Sequence, residues 1–241
     1  MTLTLASLAW DAHEPLRMAE FWAAALGWEI DTETHGKVSL MPMDGTRFTV
    51  AFVTGAAEKV GANRIHLDLS SRTVEDQHAT VARLIDLGAS EIDIGQGPDA
   101  DHYVLVDPEG NEFCVLEPGN NFVSQASRLG SLTCDGTRTV GHFWSAALGW
   151  PLVWDQDEET AIRAPDGAGQ FITWGGPPLP PRRGKDRLHL DVAPPANGDQ
   201  RAEVERLVSL GARRIDIGPG EPPRIVMADP DDNTFCVLTP R

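Results

Sequence analysis

The sequence predicts an α+β protein made of two tandem copies of one fold, each copy built from two βαβββ units. Two observations carry this. Four phrases recur at nearly constant spacing: "FWAAALGW" at 21–28 returns as "FWSAALGW" at 143–150, and "RIHLDLS" at 64–70 returns as "RLHLDVA" at 187–193. "LGASEIDIGQG" at 87–97 returns as "LGARRIDIGPG" at 210–220, and "VDPEGNEFCVL" at 106–116 as "ADPDDNTFCVL" at 228–238. Offsets of 122 and 123 leave almost no room for insertions, and the period is too long for a solenoid but right for duplicated domains. Within each copy, helix-period and strand-period segments then alternate in the same order.

The first unit opens with "LTLASLAWD", a loosely alternating strand. In "EPLRMAEFWAAALGW" Pro15 suits a first helical turn, apolar residues follow at helical spacing, and Gly27 supplies a C-terminal stop. A short strand at Trp28–Asp31, then "VSLMPM" and "RFTVAFV" around the turn "DGT", complete βαβββ. In the second unit "RIHLDLS" is a strand, and Thr73 with Asp76 three residues on caps the helix "VEDQHATVARLIDLGA", which Gly88 ends. "EIDIG", "YVLVD" and "EFCVLE" close the sheet. The predicted boundaries are residues 1–118 for the first domain, 119–127 for a linker and 128–241 for the second domain.

Hydrophobic residues make up 41% and charged residues 23% of the 241 residues, the balance of a globular chain with a buried core. Twenty Lys and Arg against 36 Asp and Glu give a net charge of −16, which repels a nucleic-acid backbone. No apolar run reaches the roughly 20 residues needed to cross a bilayer, and the N-terminus lacks the pattern of a signal peptide, so a cytoplasmic location and no membrane partner are expected. Cys114, Cys134 and Cys236 form neither a disulfide framework nor a two-cysteine zinc motif and read as reduced thiols.

Period two puts Ile65, Leu67 and Leu69 on one face of their strand and Arg64, His66, Asp68 and Ser70 on the other; Arg187, His189 and Asp191 repeat the polar set. On the last strand Phe113 and Val115 point to the helices, leaving Glu112, Cys114 and Leu116 on the polar side, with Cys236 as the copy of Cys114. The candidate ligand-binding residues are Arg64, His66, Asp68, Glu112 and Cys114, with Arg187, His189, Asp191 and Cys236. His66, Asp68, Cys114, His189, Asp191 and Cys236 are the candidates for any catalysis, a carboxylate beside an imidazole being able to fix its tautomer for general-base work. Cys134 has no such role and aligns with Ala12; Cys114 and Cys236 are expected to share one environment. Trp10, Trp154 and Trp174 fall on strands that could line a binding surface, and the Pro-rich segment 175–187 carries basic residues that could close over an anionic ligand.

A duplicated βαβββ unit with "FWAAALGW" on its first helix, "HLDL" on its fifth strand and "DPEGNEFCVL" on its last resembles the glyoxalase/bleomycin resistance protein/dioxygenase (vicinal oxygen chelate) superfamily, in its glyoxalase-like branch. The resemblance implies a curved, cup-like mixed sheet with helices on its outer face, a small organic molecule in the cup, and in many members a divalent metal. It also implies pairing of sheets across a pseudo-twofold, hence an intramolecular pseudo-dimer, with a further homodimer open. Metal-dependent relatives place ligands on the first, fifth and last strands. Here those positions fall near Ser7 and Leu129, on His66 and His189, and on Cys114 and Cys236. One His and one Cys per cup are too few, so no cofactor is favoured; His66 and His189 are the candidates if a divalent ion (Zn, Fe, Mn or Mg) binds, and His13, His35 and His102 are unplaced. The expected function is small-molecule binding in the cups. Three alternatives stand beside it: a metal-dependent lyase, isomerase or dioxygenase, a metal-free enzyme using Cys or His, and an antibiotic-sequestering protein of the bleomycin-resistance kind.

Overall fold

The computed structural model of the chain describes residues 2–34, 36–97, 100–120, 123, 127–181, 184–216 and 224–241. Four βαβββ units follow one another. The first is β1 (Thr4–Ala12), α1 (Pro15–Leu26), β2 (Glu29–Thr34), β3 (Lys37–Met41) and β4 (Thr49–Thr54); the second is β5 (Ile65–Leu69), α2 (Val74–Asp86), β6 (Ser90–Glu91), β7 (Tyr103–Val106) and β8 (Glu112–Val115). The third is β9 (Leu129–Cys134), α3 (Arg138–Leu148), β10 (Leu152–Gln156), β11 (Glu159–Ile162) and β12 (Phe171–Trp174). The fourth is β13 (Leu188–Ala193), α4 (Gln200–Ser209), β14 (Arg213–Arg214), β15 (Arg224–Ala228) and β16 (Thr234–Leu238).

Two eight-stranded mixed sheets result, ordered β14-β15-β16-β13-β1-β4-β3-β2 and β10-β11-β12-β9-β5-β8-β7-β6. The sequence reading gave each half its own cup from its own two units. The class and the units stand, but the units pair across the halves: β1 runs antiparallel to β13 with Trp10 opposite Leu188, and β5 antiparallel to β9 with Ile65 opposite Cys134. A near-exact repeat makes either pairing equally compatible with the alternating pattern, so periodicity alone could not choose.

What ties the two units of one half together is the repeated Asp-Pro turn. Before α1, the Glu109 carboxylate accepts hydrogen bonds from the backbone N–H groups of His13 (3.0 Å) and Glu14 (2.8 Å); before α3, Asp231 accepts from Thr137 (2.6 Å). A negative group at a helix N-terminus satisfies free N–H groups and the helix dipole together. At the other end of these helices Arg83 donates to the carbonyls of Ala24 and Ala25, and Arg206 to those of Ala146 and Ala147. Between these ends Trp22 Nε1 donates to Asp107 and packs on Phe113 (ring centroids 5.0 Å apart), and Trp144 repeats this with Asp229 and Phe235 (5.0 Å). Each of these helices therefore belongs to one sheet and is anchored by the other.

One strand is shorter than expected. Of "EIDIG" only Glu91, next to Ser90, lies in the ladder, with one further bond from Ile92 N–H to Val104. Asp93 Oδ1 then accepts from Gly95 N–H (2.8 Å) and Gln96 Oε1 from Ile94 N–H (2.8 Å), so local side chains take the bonds a ladder would need. Among the described residues no helix is long and apolar enough to cross a membrane.

The cross-pairing makes a prediction. Residues 1–118 expressed alone expose the long edges of β1 and β5, which normally pair with β13 and β9. The half-chain should sediment as a dimer rebuilding both eight-stranded sheets, or aggregate, whereas the whole chain should run as a single-chain species at low concentration; a stable monomeric half would contradict the pairing.

Candidate functional site

On the concave side of the second sheet β5 and β9 face each other in polar pairs: Asp68 opposite Ser131 and His66 opposite Thr133, with Arg64 and Asp135 joined just beyond by a backbone bond of 2.8 Å. Next to β5, parallel β8 brings Cys114 beside Asp68. His66 Nε2 lies 3.3 Å from Asp68 Oδ1, and one donor atom each of His66, Asp68 and Cys114 fall within 4.8 Å of one another. The first sheet repeats the set as His189, Asp191 and Cys236, with Nε2 3.4 Å from Asp191 Oδ1 and donors again within 4.8 Å.

In both sheets the other carboxylate oxygen is held by the facing strand. Asp191 Oδ2 accepts from Ser7 Oγ (2.8 Å); Asp68 Oδ2 accepts from Ser131 Oγ (2.9 Å) and from Thr133 Oγ1. Ser131, then, is the structural counterpart of Ser7. The sequence reading pointed to Leu129, which lies in the core. From Ser7 to Phe21 the chain is two residues longer than from Ser131 to Phe143, so the helix offset does not carry over to the strands, and a bulge at Gly130, mirrored at Ala6, turns Leu129 and Leu5 inward. The same shift aligns Cys134 with Trp10 rather than Ala12, both of them core residues.

The two cups differ in access. Cys114 is half-buried and the His66 side chain keeps 29% exposure, but His189, Asp191 and Cys236 are all buried, Cys236 at 1%. Ala193, Val226, Cys236 and Leu238 form a small apolar cluster there. The expected equivalence of the two thiols does not hold. A neutral alkylating reagent should modify Cys114 in the folded protein and leave Cys134 and Cys236 until it unfolds, as peptide mapping would show.

Electrostatics decide where the proton sits in each triad. Burial disfavours charge on His66, but the Asp68 carboxylate and then Cys114 outweigh it and hold the imidazole well above its ordinary value. His189 is raised to about 9 against the same burial by Asp191 and Cys236. Burial works to raise Asp68 as well, yet His66 and the Thr133 and Ser131 hydroxyls bring it below the usual value, while burial pushes the Cys114 thiol up against the pull of His66. Without a bound group the pair is thus imidazolium and carboxylate beside a neutral thiol, which makes His66 a poor general base near neutrality.

The remaining candidates sit elsewhere. Arg187 is taken up at the junction of the halves, donating to the carbonyls of Ala57 (2.9 Å) and Glu109 (3.2 Å) beside His13. Glu112 pairs with Lys59 and accepts from Asn63 N–H (3.2 Å). Arg64 lines a separate cavity of about 240 Å³ with Asp135 and Asp186. In the basic loop Lys185 pairs with Asp11, Pro181 and Gly184 are exposed, and Arg182 and Arg183 lie outside the described residues, as does His35. His102 lines a different surface cavity, and neither it nor His13 belongs to the triad clusters. Trp10 is core; Trp174, though its ring is buried, borders the second cup. Ser131, Thr133 and Thr173 were missed by the sequence reading, although two Thr where the first half has Ala is a visible signal once the strands are aligned correctly.

Comparison with known proteins agrees with this architecture. A model of the glyoxalase-like domain matches residues 7–116 and again 131–238. The chain belongs to the glyoxalase-like domain family. Its fold is similar to that of glyoxalase I from Zea mays (12% identity, 99% of this chain and 92% of that one, TM-score 0.66). It is also similar to a proposed dioxygenase from Bacillus subtilis subsp. subtilis strain 168 (14% identity, 99% and 86%, TM-score 0.64). No curated protein sequence matches the chain.

Proposed function

We propose that this protein binds a small, polar organic molecule, and that the cup of the second sheet is the site that does so. One observation carries the reading: the cups share His, Asp, Cys and a facing Ser, but the second adds two Thr hydroxyls and is the more open. Thr133 faces His66 where Ala9 faces His189, and Thr173 neighbours Thr133 where Ala51 neighbours Ala9. The hydroxyls of Thr173 and Thr133 lie 2.9 Å apart, and Thr133 continues the chain to Asp68. Beside them is a cavity of about 200 Å³ lined by Asp68, Ser131, Thr133, Thr160, Thr173 and Trp174. That volume is below the roughly 300–1,000 Å³ of typical drug-sized sites, so the occupant is small, with groups that pair to hydroxyls and an apolar side for the indole edge.

The variant Thr133→Ala/Thr173→Ala gives the second cup the side chains of the first. With two hydrogen bonds lost at about 1 kcal/mol each, occupancy of a co-purifying molecule should fall roughly 10-fold or more. Mass spectrometry of extracts from protein isolated from its host measures this. Equal recovery from wild type and variant would place the ligand elsewhere.

A further inference from the structure

We propose that the second cup takes a small organic cation, a protonated amine whose N–H groups are received by the hydroxyl oxygens of Thr133 and Thr173 and by the carboxylate of Glu159. This rests on the small-molecule reading above, which assigns the site; the direction of its hydrogen bonds assigns the charge of the occupant.

A hydroxyl has one proton to give, so three hydroxyls have three. Ser131 Oγ donates to Asp68 Oδ2 (2.9 Å), and Thr133 Oγ1 donates to the same oxygen. A carboxylate can only accept, and a bond to it is stronger than one between neutral hydroxyls, so neither proton is left for a neighbouring threonine. The 2.9 Å bond between Thr133 and Thr173 therefore runs from Thr173 to Thr133. All three protons point along one chain that ends on Asp68, and the 3.4 Å contact of Ser131 with Thr133 adds no donor to it. Toward the cavity of about 200 Å³ these hydroxyls present lone pairs.

Two side-chain donors at the same cavity are occupied. Asn120 Nδ2 donates to Glu117 (2.8 Å). The nitrogen edge of the Trp174 indole packs against Gly136, where a Cβ would lie 2.6 Å from Cδ1 and 3.4 Å from Nε1.

The charges agree with the hydrogen bonds. Asp68 and Glu159 are the acidic side chains of the lining, and among the described residues no Lys or Arg lines it. His66 Nε2, 3.3 Å from Asp68, balances the first. Glu159, half-buried at the start of β11, has a carboxylate with no hydrogen bond or ion pair among the described residues. One uncompensated negative charge beside a wall of acceptors attracts a monovalent cation with N–H groups and repels a carboxylate or phosphate. Leu116 and Trp174 border the cavity and favour a cation with a hydrocarbon part over a bare ion. The net charge of −16 draws the same class of solute toward the protein. The first cup lacks this wall, because Ala9 and Ala51 stand at the threonine positions and Asp191 is held by Ser7.

The test titrates the full chain with three probes of similar size, n-butylammonium, n-butanol and butyrate, and follows backbone amide shifts by NMR. At the millimolar concentrations where molecules of this size bind, butylammonium should shift the amides of Ser131, Thr133, Glu159 and Thr173, and added salt should weaken it. Butyrate should bind there at least about 10-fold more weakly, and Glu159→Gln should lower the butylammonium affinity roughly 10-fold while leaving butanol unchanged. Butylammonium binding at the cup that Glu159→Gln does not alter, or tighter binding there of butanol or butyrate, overturns the cation and leaves the small-molecule reading in place. No shift of cup residues with any of the three probes removes both.

Discussion

Gly141→Ala should destabilise the chain by about 3 kcal/mol, although alanine is the better helix former by about 1 kcal/mol. A Cβ at this position of α3 would lie 1.9 Å from Thr160 Oγ1 and 2.5 Å from Thr160 Cβ. Neither neighbour can swing away: Thr160 is a 1% exposed strand residue of β11, paired with Trp174 on one side and Asp155 on the other. The helix or the strand must therefore shift, and α3 is pinned at its start by Asp231 and near its end by Arg206. Because Thr160 also lines the second cup, the strain should reach the site and weaken ligand retention along with stability. Urea unfolding measures the first effect. Thr160→Gly removes all three atoms that the new methyl group meets, so the double variant should lose much less than the sum of the two single changes. Strictly additive losses would show that the contact does not set the helix position.

The sequence made the elements and the polar strand faces legible because both depend on local period. "HLDL" alternates, so His66 and Asp68 had to share a face, and the core-facing Phe113 and Val115 put Cys114 on the opposite side of its strand. Three things were not local. Pairing across the halves depends on which of two near-identical partners a unit meets in space. The fates of Arg187 and Glu112 depend on Ala57, Lys59 and Asn63, loop residues without a periodic signal. The difference between the cups was hidden because the chain from Ser7 to Phe21 is two residues longer than from Ser131 to Phe143, which moved Ser131 and Thr133 out of the alignment set by the helices.

Asp107→Asn should cost about 2 kcal/mol near neutral pH, with a deficit that grows as the solution is acidified. Asp107 is 3% exposed and lies within hydrogen-bonding distance of donors only. Oδ1 accepts from the backbone N–H groups of Glu109 (2.9 Å) and Asn111 (2.9 Å), and Oδ2 from Trp22 Nε1 (3.2 Å), while Asn111 Nδ2 reaches both oxygens. An amide has one acceptor oxygen, so its NH₂ would have to face the indole N–H, leaving two buried donors unsatisfied. Removing a buried charge offsets part of this, since burial holds the Asp107 carboxyl above its ordinary value despite these bonds. A carboxyl whose folded value is raised takes up its proton in the folded state first. Stability from this group therefore increases as pH falls from the raised folded value toward the unfolded value of about 3.9, and decreases as pH rises through the same window. The asparagine variant lacks that gain, and other acid groups cancel in the difference between the two proteins. Denaturant unfolding of both proteins from neutral pH into this window should show the gap widening toward acid. A gap that narrows there would mean the carboxyl is not raised, and a variant as stable as wild type at neutrality would mean that burying the charge costs more than the Trp22 and Asn111 bonds return. Asp229, with Trp144 and Asn233 in the same positions and the same upward shift, provides an internal replicate in the second half of the chain.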